Sequence, residues 1–216
     1  MFSVRQIVSP AFPTSTPYDE AKALDVYLSV NQMGMQLYAF EQCVALFEFL
    51  SDHAKDAPID NHEEGFKRAW WRFVPAQQGA LAIWHFRKSL DALRTSVNRH
   101  RSISSAVDTS AIKAAIEVTF RAKFPDWHEL RFGVAHYSEA HFSTERGQAH
   151  SAPGPSVFGL EIPLADQLQA TAIVNGRFGM TVDGKEVSYA VSQQSVEALR
   201  TIYDQVIDAL EVPVGA

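Results

Sequence analysis

The chain has 216 residues, of which 46% are hydrophobic, and this is enough for one sizeable core without a metal or disulfide staple. Its formal net charge is -6, and charged residues make up 20% of the sequence. This acidic balance argues against a surface that coats nucleic acid indiscriminately, but it is compatible with a local basic groove.

Cysteine content and hydropathy bear on the compartment. Cys43 is the only cysteine, so an intramolecular disulfide is excluded and a reducing compartment is expected. Its place in an apolar helical run favours a small core residue over a nucleophile. The first 17 residues lack a continuous apolar stretch, and no segment approaches the ~18 apolar residues of a membrane span. We therefore expect a cytoplasmic protein with no membrane partner.

The N-terminal part of the sequence predicts an irregular arm and then a long helix. Residues 1–18 hold three prolines and several Ser and Thr residues, a composition typical of an irregular arm. We predict a single domain over 19–216, with a helical bundle over 19–150. Its first helix carries apolar residues at spacings of three and four and should end before Pro58. This apolar face consists of Met33, Leu37, Phe40, Val44 and Phe47.

Two further helices should follow a polar connection. The segment 66–75 is rich in aromatic residues, and we expect a short helix that Pro75 ends. A second long helix should then end near Asn98, and the polar residues 99–109 should form a loop. The apolar face of the second long helix consists of Ile83, Phe86, Leu90, Leu93 and Val97.

The next two helices are marked by capping residues. The segment Asp108–Ser110 can cap a third helix, and Pro125 then interrupts the chain. Asp126, with Glu129 three residues later, fits a capping box, so a fourth helix should begin at Trp127. The apolar face of the third helix contains Ile112, Ile116 and Phe120.

The C-terminal third has a different pattern, which predicts a small antiparallel β-meander over 156–191. Short, partly alternating β-branched segments indicate strands, and Asp183-Gly184 is a strong two-residue hairpin signal. Ser192 can cap a closing helix over 193–211. The predicted strand segments are 157–162, 169–174, 177–182 and 185–191.

Common catalytic and cofactor motifs are absent from the sequence. There is no GxxxxGK[ST], GxGxxG, GxSxG or CxxC. His128-Glu129 begins like HExxH, but Phe132 stands where the second histidine would be. Four histidines cluster over 128–150, yet their spacings match no common zinc pattern. We therefore expect no metal and no cofactor.

The segment with the clearest chemical potential is FPDWHELRFGVAHYSE, residues 124–139. Within it, four residues separate Arg131 from His136. An R-x4-6-H element late in a helical bundle resembles the HEPN superfamily, and the wider segment is similar to bacterial HEPN-like proteins of undefined role. In those proteins a few strands and a final helix also follow the motif, so the resemblance covers about 24–210.

The resemblance implies a mainly α fold, a HEPN-like helical bundle with a small antiparallel β-meander before a C-terminal helix. Many HEPN proteins are metal-independent endoribonucleases of toxin–antitoxin, phage-defence or RNA-processing systems. The resemblance therefore implies RNA as substrate, an antitoxin protein as a candidate partner, and a homodimer in which two motifs share one cleft.

In this interpretation Arg131 binds the scissile phosphate and His136 transfers protons, since a histidine can act as base or acid near neutral pH. Tyr137, Ser138 and Glu139 would support them, with Glu139 placed to orient His136. Residues five apart lie about 140° apart around an ideal helix. For the two residues to act together, the Arg131 side chain must extend around the helix toward His136, the helix must distort near Gly133, or a second subunit must complete the site.

Two other functions stay open. In the family the residue after the arginine is usually polar, whereas this chain has Phe132, which favours a non-catalytic HEPN module that binds RNA, a nucleotide or a partner protein. A third hypothesis is a structural helical dimer in which Arg131 pairs with Glu129 or Glu139. Whether the chain is an enzyme is thus undecided at this point.

Basic residues on the second long helix and the segment after it form a candidate RNA-binding patch, although a solvated helix face explains such residues more often. Trp70 and Trp71 can stack bases or belong to the core. The patch consists of Arg87, Lys88, Arg94, Arg99 and Arg101.

Overall fold

The computed structural model describes residues 17–55, 67, 70–140, 156–157, 160–161 and 171–211, with side chains for 21–53, 67, 70–135 and 171–211. It confirms a mainly helical fold with a small antiparallel sheet before a C-terminal helix. Before the sheet, the helices whose bounds are described are α1 Pro17–Lys55, α2 Phe73–Arg99, α3 Arg101–Ser104, α4 Thr109–Ala114, the π-helix Ala115–Phe120, α5 Arg121–Lys123 and α6 Trp127–Ala140. Residues 67, 70 and 71 are also helical. The remaining elements are β1 Ser156–Val157, β2 Leu160–Glu161, β3 Thr171–Val174, β4 Arg177–Val182, β5 Lys185–Ala190 and α7 Gln193–Leu210.

The two long helices form largely as their apolar periodicity predicts. Helix α1 begins at Pro17, where a missing N–H has no consequence because the first turn of a helix has no intrahelical acceptors for its N–H groups. It ends at Lys55, before Pro58 as predicted. All ten residues predicted for the apolar faces of α1 and α2 are at most 4% exposed. The rest of the predicted arm, residues 1–16, lies outside the described residues.

Pro75 does not end a helix, so that prediction is wrong. It is the third residue of α2, which begins at Phe73. A proline is tolerated there because the first-turn N–H groups make no intrahelical hydrogen bonds. A proline would break a helix in its interior, but in the first turn of α2 it is accommodated.

The predicted loop over 99–109 is also partly wrong, because α3 lies within it. Ile103 and Val107 are four residues apart and both are buried, so this polar segment packs on the core by one short apolar face. The predicted cap of the next helix is confirmed. The carboxylate of Asp108 accepts hydrogen bonds from Ala111 N at 2.9 Å and from Ser110 Oγ at 2.6 Å.

The helix after Asp108 changes type at its centre. The predicted apolar face is correct, since Ile112, Ile116 and Phe120 are at most 1% exposed. From Ala115 to Phe120, however, the backbone is a π-helix, in which hydrogen bonds span one more residue than in an α-helix. Apolar spacing alone does not predict this change, because the buried residues keep the same side of the helix.

Strands β3, β4 and β5 form an antiparallel meander joined by two tight turns. The predicted Asp183-Gly184 turn is confirmed, with φ values of 49° and 73°. A second turn at Asn175-Gly176 has φ values of 50° and 73°, and it was missed although Asn-Gly is the strongest signal for this turn type. Both glycines supply the left-handed backbone without strain.

The segment 157–162 was predicted as one strand, and that is wrong. Ser156–Val157 pairs with Leu160–Glu161 in antiparallel register, so the chain reverses within the segment. A strand of two residues pairs most readily with another strand that is close to it in sequence. The predicted closing helix is confirmed as α7.

Two compact units make up the chain, and neither is continuous in sequence. The first contains Met1–Phe40, His85–Pro125 and Ser195–Ala216. Within it, Asp108 N donates to Ala209 O at 2.9 Å, which joins the start of α4 to the end of α7. The rings of Phe86 and Phe120 stack with centroids 6.3 Å apart. The single domain expected over 19–216 remains a prediction.

The second unit contains Glu41–Trp84 and Asp126–Gln194. Its core is built on β4, where the Phe178 ring meets Phe73 edge-on at 6.3 Å. The buried hydroxyl of Tyr189 donates to the carbonyl of Ala76. Burial, with a smaller effect from the nearby Cys43, raises the pKa of Tyr189 well above its usual value and keeps it a neutral donor.

Gly133 allows the close approach of α6 to the sheet. A Cβ atom at this position would overlap Met180 Sδ and would lie 2.8 Å from Val182 Cγ2. We expect Gly133→Ala to lower the free energy of unfolding by about 1–3 kcal/mol, because overpacking outweighs the gain in helix propensity of about 1 kcal/mol. Urea denaturation measures the change.

The matched control is Ala135→Gly on the exposed side of the same helix, which reports helix propensity alone. A Met180→Ala background should reduce the effect of Gly133→Ala, since the overlapping sulfur is gone. A stabilising Gly133→Ala would contradict the steric account.

The cap at Asp108 predicts a pH dependence of stability. Hydrogen bonds from Ser110 Oγ and the Ala111 N–H hold the pKa of Asp108 below its usual value. The charged cap therefore stabilises the fold fully above the unfolded pKa of about 3.9, and this contribution disappears as the pH falls through the folded pKa. Urea midpoints of wild type and Asp108→Asn should differ most near neutral pH and converge in acid. A constant difference across pH would exclude the charge as its source.

Candidate functional site

Helix α6 carries the predicted site, and both its start and its face are set by contacts with the sheet. The carboxylate of Asp126 accepts a hydrogen bond from the Ser188 N–H of β5 at 3.2 Å. Leu130 is 2% exposed, and Gly133 packs on Met180 and Val182. With Leu130 and Gly133 turned inward, Arg131 lies on the flank of the helix.

Arg131 is half-buried and stacks on an aromatic side chain. Its guanidinium carbon lies 4.9 Å from the centroid of the Trp84 ring. This is a cation–π contact, in which the face of the indole ring attracts the positive charge. Within the described residues Arg131 makes no ion pair, so the pairing with Glu129 considered from the sequence is not formed. The charge is therefore oriented but not neutralised by a described carboxylate.

Phe132 adds an apolar surface next to this cation. Its side chain is 37% exposed, and Ala135 on the same helix is also exposed. An aromatic ring at this position can stack or pack but cannot donate or accept a conventional hydrogen bond. Among the side chains described, the outer side of α6 therefore places Phe132 next to Arg131, with His128 and Glu129 also exposed.

The other predicted site residues belong to the end of the same helix. His136, Tyr137, Ser138 and Glu139 lie within α6, but their side chains lie outside the described residues. Because α6 is α-helical throughout, positions 131 and 136 lie about 140° apart around its axis. The distortion considered at Gly133 is absent from this described helix. The glycine is required by Met180 and Val182, and not by a bend.

The predicted basic patch separates into two groups. The Arg87 guanidinium donates to the Asp91 carboxylate at 2.9 and 3.2 Å and to Ile116 O at 3.0 Å, and it lies over the Phe120 ring. Arg94 pairs with Glu117 at 2.8 Å. Both arginines therefore have internal partners on or beside the π-helix.

The other three basic residues face outward to different extents. Lys88 lines a cleft of about 280 Å³ between α1 and α2, together with Gln32 and Gln36. Arg99 and Arg101 are exposed, and neither side chain makes a hydrogen bond or ion pair with the described residues. Any phosphate contact on this patch would thus depend most on Arg99 and Arg101.

Sequence reasoning missed Trp84, the residue that restrains Arg131. The two residues are 47 positions apart, so no local spacing pairs them. Trp70 and Trp71, for which a core role was the more common explanation, are 49% and 54% exposed. Within the described residues no group of three His, Cys, Asp or Glu side chains can hold a metal ion. In the same part of the chain, no helix combines the length and apolarity required to cross a bilayer.

Comparison of this chain with protein-family models, with curated proteins and with solved structures found no match. Its function must therefore be argued from the geometry on α6 and from the sequence resemblance.

The contacts of Arg87 predict a structural role for this residue, which Arg99 on the same helix does not share. Its side chain is only 15% exposed. We expect Arg87→Met to lower the free energy of unfolding by about 2 kcal/mol, because it leaves the Ile116 carbonyl and the Asp91 carboxylate without their donor. Arg99→Met, the matched control, should change stability by less than about 0.5 kcal/mol. Chemical denaturation measures both, and equal effects would contradict the assignment.

Proposed function

We propose that this chain is a HEPN-type, metal-independent endoribonuclease that acts on RNA through Arg131 and His136. The observation that supports the proposal most directly is the stacking of the Arg131 guanidinium on Trp84, 4.9 Å from the ring centroid. A planar cation with a restrained orientation and no described carboxylate partner suits the recognition of a phosphodiester.

The chemistry requires no group beyond the substrate and two side chains. The 2′-hydroxyl of the RNA attacks the adjacent phosphorus while a base removes its proton. The P–O5′ bond breaks, an acid protonates the departing 5′-oxygen, and the products are a 2′,3′-cyclic phosphate and a 5′-hydroxyl. Arg131 would stabilise charge on the phosphorane, and His136 would transfer protons, since its ordinary pKa is about 6.5.

A homodimer would explain how the two residues act together. On an undistorted α6 they project in different directions, about 140° apart. Two copies of the helix facing each other across a two-fold axis would bring two arginines and two histidines to one cleft. Tyr137, Ser138 and Glu139, at the same end of α6, would orient His136 or the RNA backbone.

A second candidate is a non-catalytic HEPN module that binds RNA, a nucleotide or a partner protein. The exposed Phe132 favours it, because a polar residue next to the arginine is the usual arrangement in the family and an aromatic ring offers only stacking or apolar contact. In this case Arg131 and Phe132 would bind a ligand without cleaving it. An antitoxin protein is one such partner.

Placement in a toxin–antitoxin or phage-defence system follows from the resemblance alone, since a fold hosts many functions. The proposal concerning chemistry is therefore tested first.

Cleavage of mixed RNA by the purified protein in excess EDTA is the decisive measurement. We expect cleavage to persist with the chelator and to yield 5′-hydroxyl ends, which a polynucleotide kinase labels without prior dephosphorylation. Arg131→Ala should reduce the rate by about 10²–10³-fold and His136→Ala by about 10²–10⁴-fold. Trp84→Ala should have a smaller effect, about 3–30-fold, because it removes only the platform under Arg131.

Arg177→Ala serves as a control for removal of a cation from the same unit, since Arg177 contacts Ser188 on the sheet and not α6. RNA binding without cleavage, weakened by Arg131→Ala, would reject the nuclease and support the binding module. If neither binding nor cleavage responds to Arg131→Ala, both candidates fail.

A further inference from the structure

The first compact unit contains a cleft between α1 and α2, which we call the α1–α2 cleft. Its volume is about 280 Å³, near the lower end of the range of about 300–1,000 Å³ that is usual for small-molecule sites. Both helix segments that line it belong to this one unit. The lining residues are Leu28, Ser29, Gln32 and Gln36 of α1, and His85, Lys88, Ser89 and Ala92 of α2.

Small side chains leave this groove between the two helices open. Ser29, Ser89 and Ala92 lack the bulk with which larger residues fill the grooves between packed helices. The Ser29 hydroxyl donates to the Asp25 carbonyl at 2.8 Å, one turn earlier in α1. The Ser89 hydroxyl donates to the His85 carbonyl at 3.0 Å, one turn earlier in α2. Each hydroxyl hydrogen is therefore used within its own helix, and the serine oxygens line the cleft as acceptors.

Longer polar side chains flank the groove and supply hydrogen-bond donors. Lys88 contributes an ammonium group on α2, and it is exposed. Gln32 and Gln36 contribute amides one turn apart on α1, so both lie on the same side of that helix. Gln32 is exposed and Gln36 is half-buried, which places the amides at different depths. The cleft therefore combines one ammonium group with two amides that can each donate and accept.

The charge of the α1–α2 cleft favours an anionic ligand. None of the eight described lining residues is acidic, whereas Lys88 is cationic. The carboxylates closest to the lining positions in sequence have cationic partners of their own. Asp25 pairs with Lys22 at 3.0 Å, and Asp91 pairs with Arg87 at 2.9 Å. A ligand that carries negative charge therefore meets a cation in the cleft and no lining carboxylate.

The same lining favours a carboxylate over a phosphate or a nucleotide. Phosphate sites commonly use the fork of an arginine or the free N–H groups at a helix N-terminus. No arginine is among the described lining residues, and the cleft lies along the interior of both helices, where backbone N–H groups bond within the helix. The described lining also contains no Phe, Tyr or Trp, so a nucleobase would find no such ring on which to stack.

We infer that the α1–α2 cleft binds a short organic acid that carries a second polar group. Lys88 holds the carboxylate, and the amides of Gln32 and Gln36 meet the other polar end. The side chains of Leu28 and Ala92 contact the carbon atoms between the two ends. The α1 side of the cleft, from Leu28 to Gln36, is about 12 Å long, which accommodates such a chain. The inference stands on this cleft and does not depend on nuclease activity.

The first test is an NMR titration of the isotope-labelled protein with sodium succinate, with sodium chloride added to keep the ionic strength constant. The side-chain amide signals of Gln32 and Gln36 and the backbone signals around Lys88 should shift and saturate, with a Kd of about 1 mM or below. Succinamide has a similar shape but no charge, and it should bind at least about tenfold more weakly. Sodium phosphate and a short RNA oligonucleotide are titrated in the same way.

Two variants test the cleft by charge and by shape. Lys88→Met should raise the Kd for succinate about 5–20-fold, because it removes the charge and keeps the apolar stem of an exposed side chain. Its control is Lys113→Met, the same change at a position on α4 that is 62% exposed and outside the cleft. Ala92→Leu should abolish binding without changing the charge, because the larger side chain occupies the cleft. Its control is Ala21→Leu at an exposed position of α1, and both controls should leave the Kd unchanged.

Signals at the cleft that do not shift and saturate up to about 20 mM succinate overturn the inference. Phosphate that binds as tightly as succinate overturns the assignment to a carboxylate, and shifts with the RNA but not with succinate assign the cleft to RNA instead. Binding of succinate that survives both Lys88→Met and Ala92→Leu lies elsewhere and also overturns it. Far-UV circular dichroism shows that each variant is folded. RNA cleavage is a separate measurement, so failure of the proposed nuclease leaves this inference standing, and the reverse also holds.

Discussion

The close approach of α6 to β4 at Gly133 is the constraint on which the candidate site depends. Because Met180 and Val182 lie where a Cβ atom would project, the glycine at position 133 allows α6 to approach β4 this closely. That contact sets the rotation of α6 about its axis. It turns Leu130 inward, places Arg131 on the flank over Trp84, and leaves Phe132 facing solvent.

Arginines in this chain illustrate how neighbours decide what a cation does. Arg87 is enclosed by Asp91, the Ile116 carbonyl and the Phe120 ring, so its donors are directed inward and hold the π-helix. Arg131 contacts the Trp84 ring and makes no ion pair among the described residues, so no described carboxylate neutralises its charge. The residue type is the same, and the difference lies in whether a carboxylate and a carbonyl are within reach.

Helix α1 carries apolar residues on both its buried and its exposed side. Its buried face holds the core, and six large apolar side chains on its other side are between 47% and 55% exposed. Because apolar residues occur on both sides, the helix lacks the single polar side that is usual for a surface helix.

The sequence by itself determined the elements whose cause is local. Apolar spacing predicted α1, α2 and the buried face around Ile116, Asp108 predicted a cap, and Asp183-Gly184 predicted a hairpin. Each of these depends on residues within a few positions of one another.

Only the tertiary structure decided the features that join distant residues. The π-helix beside Arg87, the glycine contact at Met180 and the stacking of Arg131 on Trp84 all depend on which surfaces meet. The physical reason is the separation along the sequence over which each kind of interaction can act. Backbone geometry and capping act between sequence neighbours, whereas steric fit and charge pairing act between any groups that folding brings together.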